Sequence, residues 1–180
     1  MTTATTDPTR HHEGPVQRIG DLLYRFEADL DVIPVGLTPE GIRMTVGYEG
    51  VISAGMLEGA RVWGVDPLLL RIDGVGVIDT AKTISDGTTT IYEHVHAYCM
   101  PPEGLEVPPP EVILDPSFQW PDVEFPILGF STFRAGRPEY GHLNTTIAAI
   151  EGLANFATGR NAIETRVLRH TGTAAAPRRP

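Results

Sequence analysis

A single cysteine, Cys99, stands in 180 residues, so no internal disulfide can form and a reducing compartment is expected. Positive charge is also scarce. Lys and Arg number 14 against 23 Asp and Glu, a formal net charge of -9. With no basic stripe to interrupt that acidity, the chain should repel phosphate backbones, and nucleic acid is excluded as an expected partner. No uninterrupted apolar stretch is long enough to cross a bilayer, and the opening MTTATTDPTRHHEGP lacks the apolar core of a signal peptide. No membrane partner is expected, and the localisation expected is cytoplasmic. No Gly-rich phosphate loop leads into a helix, so no nucleotide cofactor is implied. Ser53, Ser85, Ser117 and Ser131 lie in no nucleophile-elbow context.

What the chain does have is a hydrophobic fraction of 41%, enough for one domain with a real core. The polar, Thr-rich residues 1–16 and the stretch TGTAAAPRRP at 171–180 have little to bury. They read as tails around a single domain at 17–170. Inside it, short β-rich runs are punctuated by Gly and Asp-Gly. Leu22, Tyr24 and Phe26 alternate with polar neighbours, as do Ile42, Met44, Val46 and Tyr48. Further strands are predicted in ARVWGV, LLLRIDGVGVIDTAKTI, TTIYEHVHAYC, ILGFSTFRAG and NAIETRVLRH, with a hairpin at Asp86-Gly87. RPEYGHLN reads as a turn. The segment TTIAAIEGLANFATG is ambiguous, since Ile147, Ile150 and Ala154 fit a helical face while TTI equally opens a strand. Residues 101–126 carry too many prolines for a sheet interior and form a long loop holding Phe118, Trp120 and Phe125. Such a loop is either a lid or an arm packed on the barrel. The fold class expected is all-β: a closed antiparallel barrel of about eight strands, with this proline-rich loop and one short helix.

IYEHVHAY, residues 91–98, sets Tyr92, His94, His96 and Tyr98 at alternate positions, on one face of a strand. Imidazoles titrate near neutrality and phenols donate hydrogen bonds to a developing oxyanion, which is acid/base equipment if the row faces a ligand. Alternatively Ile91, Val95, Ala97 and Cys99 face the core and the row meets water. Glu93 favours the first reading, because the second would bury a carboxylate. His94 and His96 also form an H-x-H pair such as cupins use, which makes a metal-dependent cupin-like enzyme the third alternative, but the next glutamate is Glu103, beyond two prolines, and His142 is distant; no metal is expected. Asp79 sits mid-strand where Asp is disfavoured. Arg43 shares a face with Glu49 and is a natural carboxylate anchor if buried.

The stretches LLYRFEADL, VGLTPEGIRMTV, EGARVWG, RIDGVGVIDT, SDGTTTIYEHV and FRAGRPEYGHLNTT, running from Leu22 towards Val167, carry a resemblance. In order and spacing the chain resembles a bacterial domain-of-unknown-function family of small calycin-like β-barrels, related in shape to allene oxide cyclase barrels. It departs from that pattern in three places, one of them a proline-rich span before ILGFSTF that is longer than usual. Only Asp66 stands where members have a Gly-Gly-x-Asp-Trp loop, and Ala81 stands where many carry Arg. The resemblance implies a lumen that binds a hydrophobic organic molecule, polyketide-like or aromatic. It also implies a cofactor-independent cyclisation, isomerisation or lyase step of secondary metabolism or aromatic catabolism, with a non-catalytic carrier or sensor as the alternative. Tyr92 matches the family's tyrosine after the Asp-Gly turn, which places its face in the lumen. On that expectation His94 or His96 is the acid/base, Tyr92 and Tyr98 are donors, and Arg43 and Asp79 are electrostatic partners. Trp63, Phe118, Trp120 and Phe130 would touch substrate. Apolar outer faces on such barrels lead one to expect a homo-oligomer.

Overall fold

Alternating runs turn into strands wherever one parity is apolar enough to bury. The computed structural model describes residues 17–170, and the expected tails lie outside them. Eight strands follow in chain order: β1 (Gln17–Thr38), β2 (Gly41–Gly55), β3 (Arg61–Arg71), β4 (Gly76–Ser85), β5 (Thr90–Cys99), β6 (Phe125–Ala135), β7 (Ile147–Asn155) and β8 (Arg160–His170). Each pairs antiparallel with its neighbours, and β8 returns to β1 to close a barrel. Closure leaves no free sheet edge.

The ambiguous segment is strand β7. It pairs with both β6 and β8, and a helix there would have left two edges unpaired. Its inward residues, Ala148, Ile150 and Ala154, follow the strand period, while Ile147 points outward and is half exposed. RPEYGHLN is wound more tightly than a simple turn, into a 3-10 helix (Pro138–Thr145) that buries Leu143. The expected hairpin is present. Asp86 Oδ1 accepts from the backbone N–H groups of Thr88 at 2.8 Å and Thr89 at 2.7 Å, and Gly87 takes φ +89°, which a side chain would resist. That turn fixes the β4–β5 register, with Lys82 opposite Glu93 and Asp79 opposite His96.

The proline-rich loop contains one helical turn, α1 (Pro110–Ile113), whose Ile113 is buried. Trp120 lies tilted against Phe156 (centroids 5.1 Å) and edge-on to Phe125 (6.2 Å), and Phe118 meets Trp120 edge-on at 5.2 Å. Phe118 and Trp120, expected to touch substrate, thus pack against the core cluster. Of the two roles the sequence left to this loop, the structure shows the packed arm.

Candidate functional site

On β5 the buried residues are Ile91, Glu93, Val95, Ala97 and Cys99. The Tyr92, His94, His96 and Tyr98 row faces outward, which corrects the expectation that it lines the lumen. Two physical facts decide it. The interior of an eight-stranded barrel has little room, so the smaller, more apolar parity goes inside. Glu93 is tolerated there because Lys82, at the paired position on β4, neutralises it. Asp79 is exposed on the outer face, its Oδ1 3.9 Å from His94 Nδ1, and Arg43 is exposed too. Glu49 pairs with Arg61 and not with Arg43. Trp63 and Phe130 also stand on the outside, with Arg61 over the Trp63 ring and His96 beside Phe130. None of these expected site residues enters the lumen.

What the lumen does contain is a set of charged and hydroxylic groups. Glu93 and Lys82 are 0% and 3% exposed, with Lys82 Nζ 3.1 Å from Glu93 Oε2. Tyr24, also fully buried, donates its hydroxyl to the same carboxylate oxygen and accepts from Lys82 Nζ at 2.8 Å. The ammonium further lies over the Phe26 ring at 4.6 Å. Burial, then the Glu93 charge, raises the Tyr24 phenol well above its ordinary pKa, so it stays a proton donor. An ammonium has three N–H donors; Lys82 gives one to Tyr24, is ion-paired with Glu93, and lines a small cavity beyond them.

That cavity holds about 40 Å³ and is walled by Phe26, Ile78, Val95, Ile127, Ile150 and Ile163. Its polar lining is Lys82, Tyr48, Asp66, Thr80 and Asn161. Asp66 has its carboxyl pushed up to about 6 by burial, against the opposing pull of the Thr80 hydroxyl, the Lys82 charge and the Tyr48 hydroxyl. Among the described residues its Oδ1 has no hydrogen-bond partner, nor has Asn161 Oδ1. Tyr48 is raised well above the ordinary phenol range by burial and the nearby Asp66 and Glu93 charges. A second cavity of about 20 Å³ shares Asp66, Ile78, Ile127 and Asn161 with the first. Outside, a groove of about 670 Å³ runs over β7, β8, β1 and β2, and Asn161 lines it as well. Asn161 is therefore a wall residue shared by the outer groove and both inner cavities.

Gly64 makes room for this arrangement. It is the β3 partner of Tyr48, and a Cβ there would collide with the Tyr48 hydroxyl and ring. Gly64→Ala is expected to push Tyr48 away from Asp66 and cost roughly 1–3 kcal/mol, measured as a fall in the urea midpoint at unchanged slope. Wild-type stability in that variant would mean that the ring has free space beside it.

No protein-family model matches the chain, and no curated protein matches it in sequence. Solved structures do. It is similar to the crystal structure of a conserved protein of unknown function from Rhodopseudomonas palustris, at 16% identity and TM-score 0.64, covering 87% of this chain and all of that one. A β-barrel-like protein from Acinetobacter baumannii matches at 20% identity and TM-score 0.65 over 88% of this chain and all of that one. A protein of unknown function from Clostridium acetobutylicum gives 17% and 0.64, over 86% of this chain and all of that one. At these identities the likeness is one of fold: this chain is a small closed β-barrel of the kind those uncharacterised proteins adopt. Among the described residues no helix is long and apolar enough to cross a membrane.

Proposed function

We propose that the protein is a cofactor-independent acid/base enzyme of the cytoplasm. In this reading it is a calycin-like barrel, akin in shape to allene oxide cyclases, performing an isomerisation, cyclisation or lyase step on a carbonyl compound. The observation that carries the reading is one small lumen cavity lined by both a carboxyl group poised at about 6 and an ammonium group. Asp66, as the carboxylate, takes a proton from the carbon beside the carbonyl. Lys82 and Tyr48 donate hydrogen bonds to the oxygen as it gains charge. The proton then returns from Asp66 to another carbon, which is isomerisation, or the electron pair expels a group at the next carbon, which is elimination.

The lumen's own charges set the substrate's charge. Lys82 is balanced by Glu93, so an ionised Asp66 leaves the cavity net negative and an anionic substrate is disfavoured there. A volume of about 40 Å³ takes only the reacting end of a molecule, far below the roughly 300 to 1,000 Å³ of ordinary ligand sites. The groove past Asn161 has the size for the remainder. This replaces the outward histidines with lumen residues in the acid/base role.

The test is deuterium exchange into small neutral ketones and β-dicarbonyls in 2H2O, followed by proton NMR with the full chain. Enzyme-dependent exchange that disappears in Asp66→Asn is expected. If no compound exchanges, or if Asp66→Asn exchanges as fast as wild type, the assignment fails. Saturable binding without exchange would instead identify a carrier.

A further inference from the structure

We infer that the outer face of β5, β6 and β7 is where a second copy of this chain docks. It presents Tyr92, Tyr98, Leu128, Phe130 and Ile147, exposed by 55%, 42%, 45%, 49% and 51%. The cross-strand pairs Tyr98–Leu128 and His96–Phe130 make them one surface. His96 ties the centre together, its ring 5.4 Å from both Tyr98 and Phe130 and its Nε2 3.3 Å from the Tyr98 hydroxyl. Formal charge on the outward positions of these strands is confined to Arg134 and Glu151, towards opposite ends of the face. By contrast, β1 turns Arg25, Glu27, Asp29 and Asp31 outward. Aromatic enrichment with charge moved to the rim is the composition of an interface centre.

Area and register both favour a second copy as the occupant. Half-exposed side chains of this size leave on the order of 500 Å² of apolar surface in water. A stable two-copy contact takes about 800 Å² from each partner, with a core about 65% apolar. The patch therefore matches the apolar part of one half-interface. A two-fold axis crossing the strands at the His96–Phe130 row sets Phe130 against its own copy. It also sets His94 against Tyr98, because both stand two residues from His96 on β5. The same operation carries Glu151 of one copy to the level of Ile147 of the other. There it lies diagonally from Arg134, within reach of two long side chains. Opposite charges then meet twice, once on each side of the axis.

Sedimentation equilibrium on the full chain tests this. A dimer is expected with a dissociation constant at or below about 10 μM, and Phe130→Glu should weaken it by at least about 30-fold. Phe130 points outward, so the far-UV circular dichroism of that variant should be unchanged. Arg134→Glu and Glu151→Arg should each weaken the dimer, and the two together should restore it, which only facing charges explain. A wild-type chain that stays monomeric to about 100 μM assigns the face to some other partner and overturns the inference. So does a dimer indifferent to Phe130→Glu, or a double charge reversal no better than the single changes.

Discussion

Lys82→Met is expected to cost the barrel about 3–5 kcal/mol, read as a lower urea midpoint. The size follows from what is left behind rather than from the contact removed. Glu93 is fully buried, and its Oε1 already lacks a partner among the described residues, so losing Lys82 strands a carboxylate in a medium that solvates it poorly. Folded domains hold only about 5–15 kcal/mol in total, so this one side chain should bring the protein close to unfolding. A cost under about 1 kcal/mol would mean that water reaches Glu93 and that the lumen is not dry.

Removing the whole group tells a different story. The triple change Tyr24→Phe, Lys82→Met and Glu93→Leu takes out both charges and the phenol they share, leaving no orphaned partner among the three. It is expected to be within about 1 kcal/mol of wild type, or more stable, because apolar packing of similar volume commonly equals a buried ion pair. If so, the charges are not there to hold the fold. The same triple variant should then fold well and exchange no substrate protons, which separates the two roles of Lys82 in one experiment.

The barrel is legible in the sequence because its determinants are local: period-two alternation, Asp86-Gly87, and prolines concentrated at 101–126. β7 is not, because Ile147, Ile150 and Ala154 suit either period, and its state is decided by closure between β6 and β8. The site is misplaced by sequence reasoning for a more specific reason. An isolated buried carboxylate is costly, and on that ground alone Glu93 belongs in water and the histidine row inside. Yet Lys82 and Glu93 lie four residues from either end of the Asp86-Gly87-Thr88-Thr89 loop, and Lys82 has the parity of Ile78, Thr80 and Ile84. The pair is present in the sequence as soon as the hairpin is. Asp79, the more conspicuous mid-strand charge, lies on the opposite parity and draws the eye away from it. Asp66 stands out in the sequence only as the remnant of a missing loop. Its place beside Tyr48 and Thr80 comes from the β2–β3 and β3–β4 registers together, which no single run of residues shows.

Asp66→Asn should do two opposite things at once. Folding raises this carboxyl from its ordinary 3.8 to about 6, so the native state holds the proton more tightly than the unfolded chain does. The contribution to stability is fully present below pH 3.8 and is lost as pH rises to about 6, above which it is flat. A rise of that size corresponds to about 3 kcal/mol. Asparagine, uncharged at every pH, avoids this cost. At about pH 7.5 the variant should therefore be more stable than wild type by about 1–3 kcal/mol, and near pH 4 the difference should vanish. Proton exchange should move the other way. In wild type its rate rises with pH through about 6 as Asp66 ionises, then levels off, whereas the variant loses that rise and at least about 100-fold in rate. A gain in stability coupled to a loss of turnover marks a group strained for its chemistry, and a merely structural acceptor would lose both. An Asp66→Asn protein less stable than wild type at about pH 7.5 would therefore remove Asp66 from the role of base, and exchange with no acid limb near pH 6 would do the same.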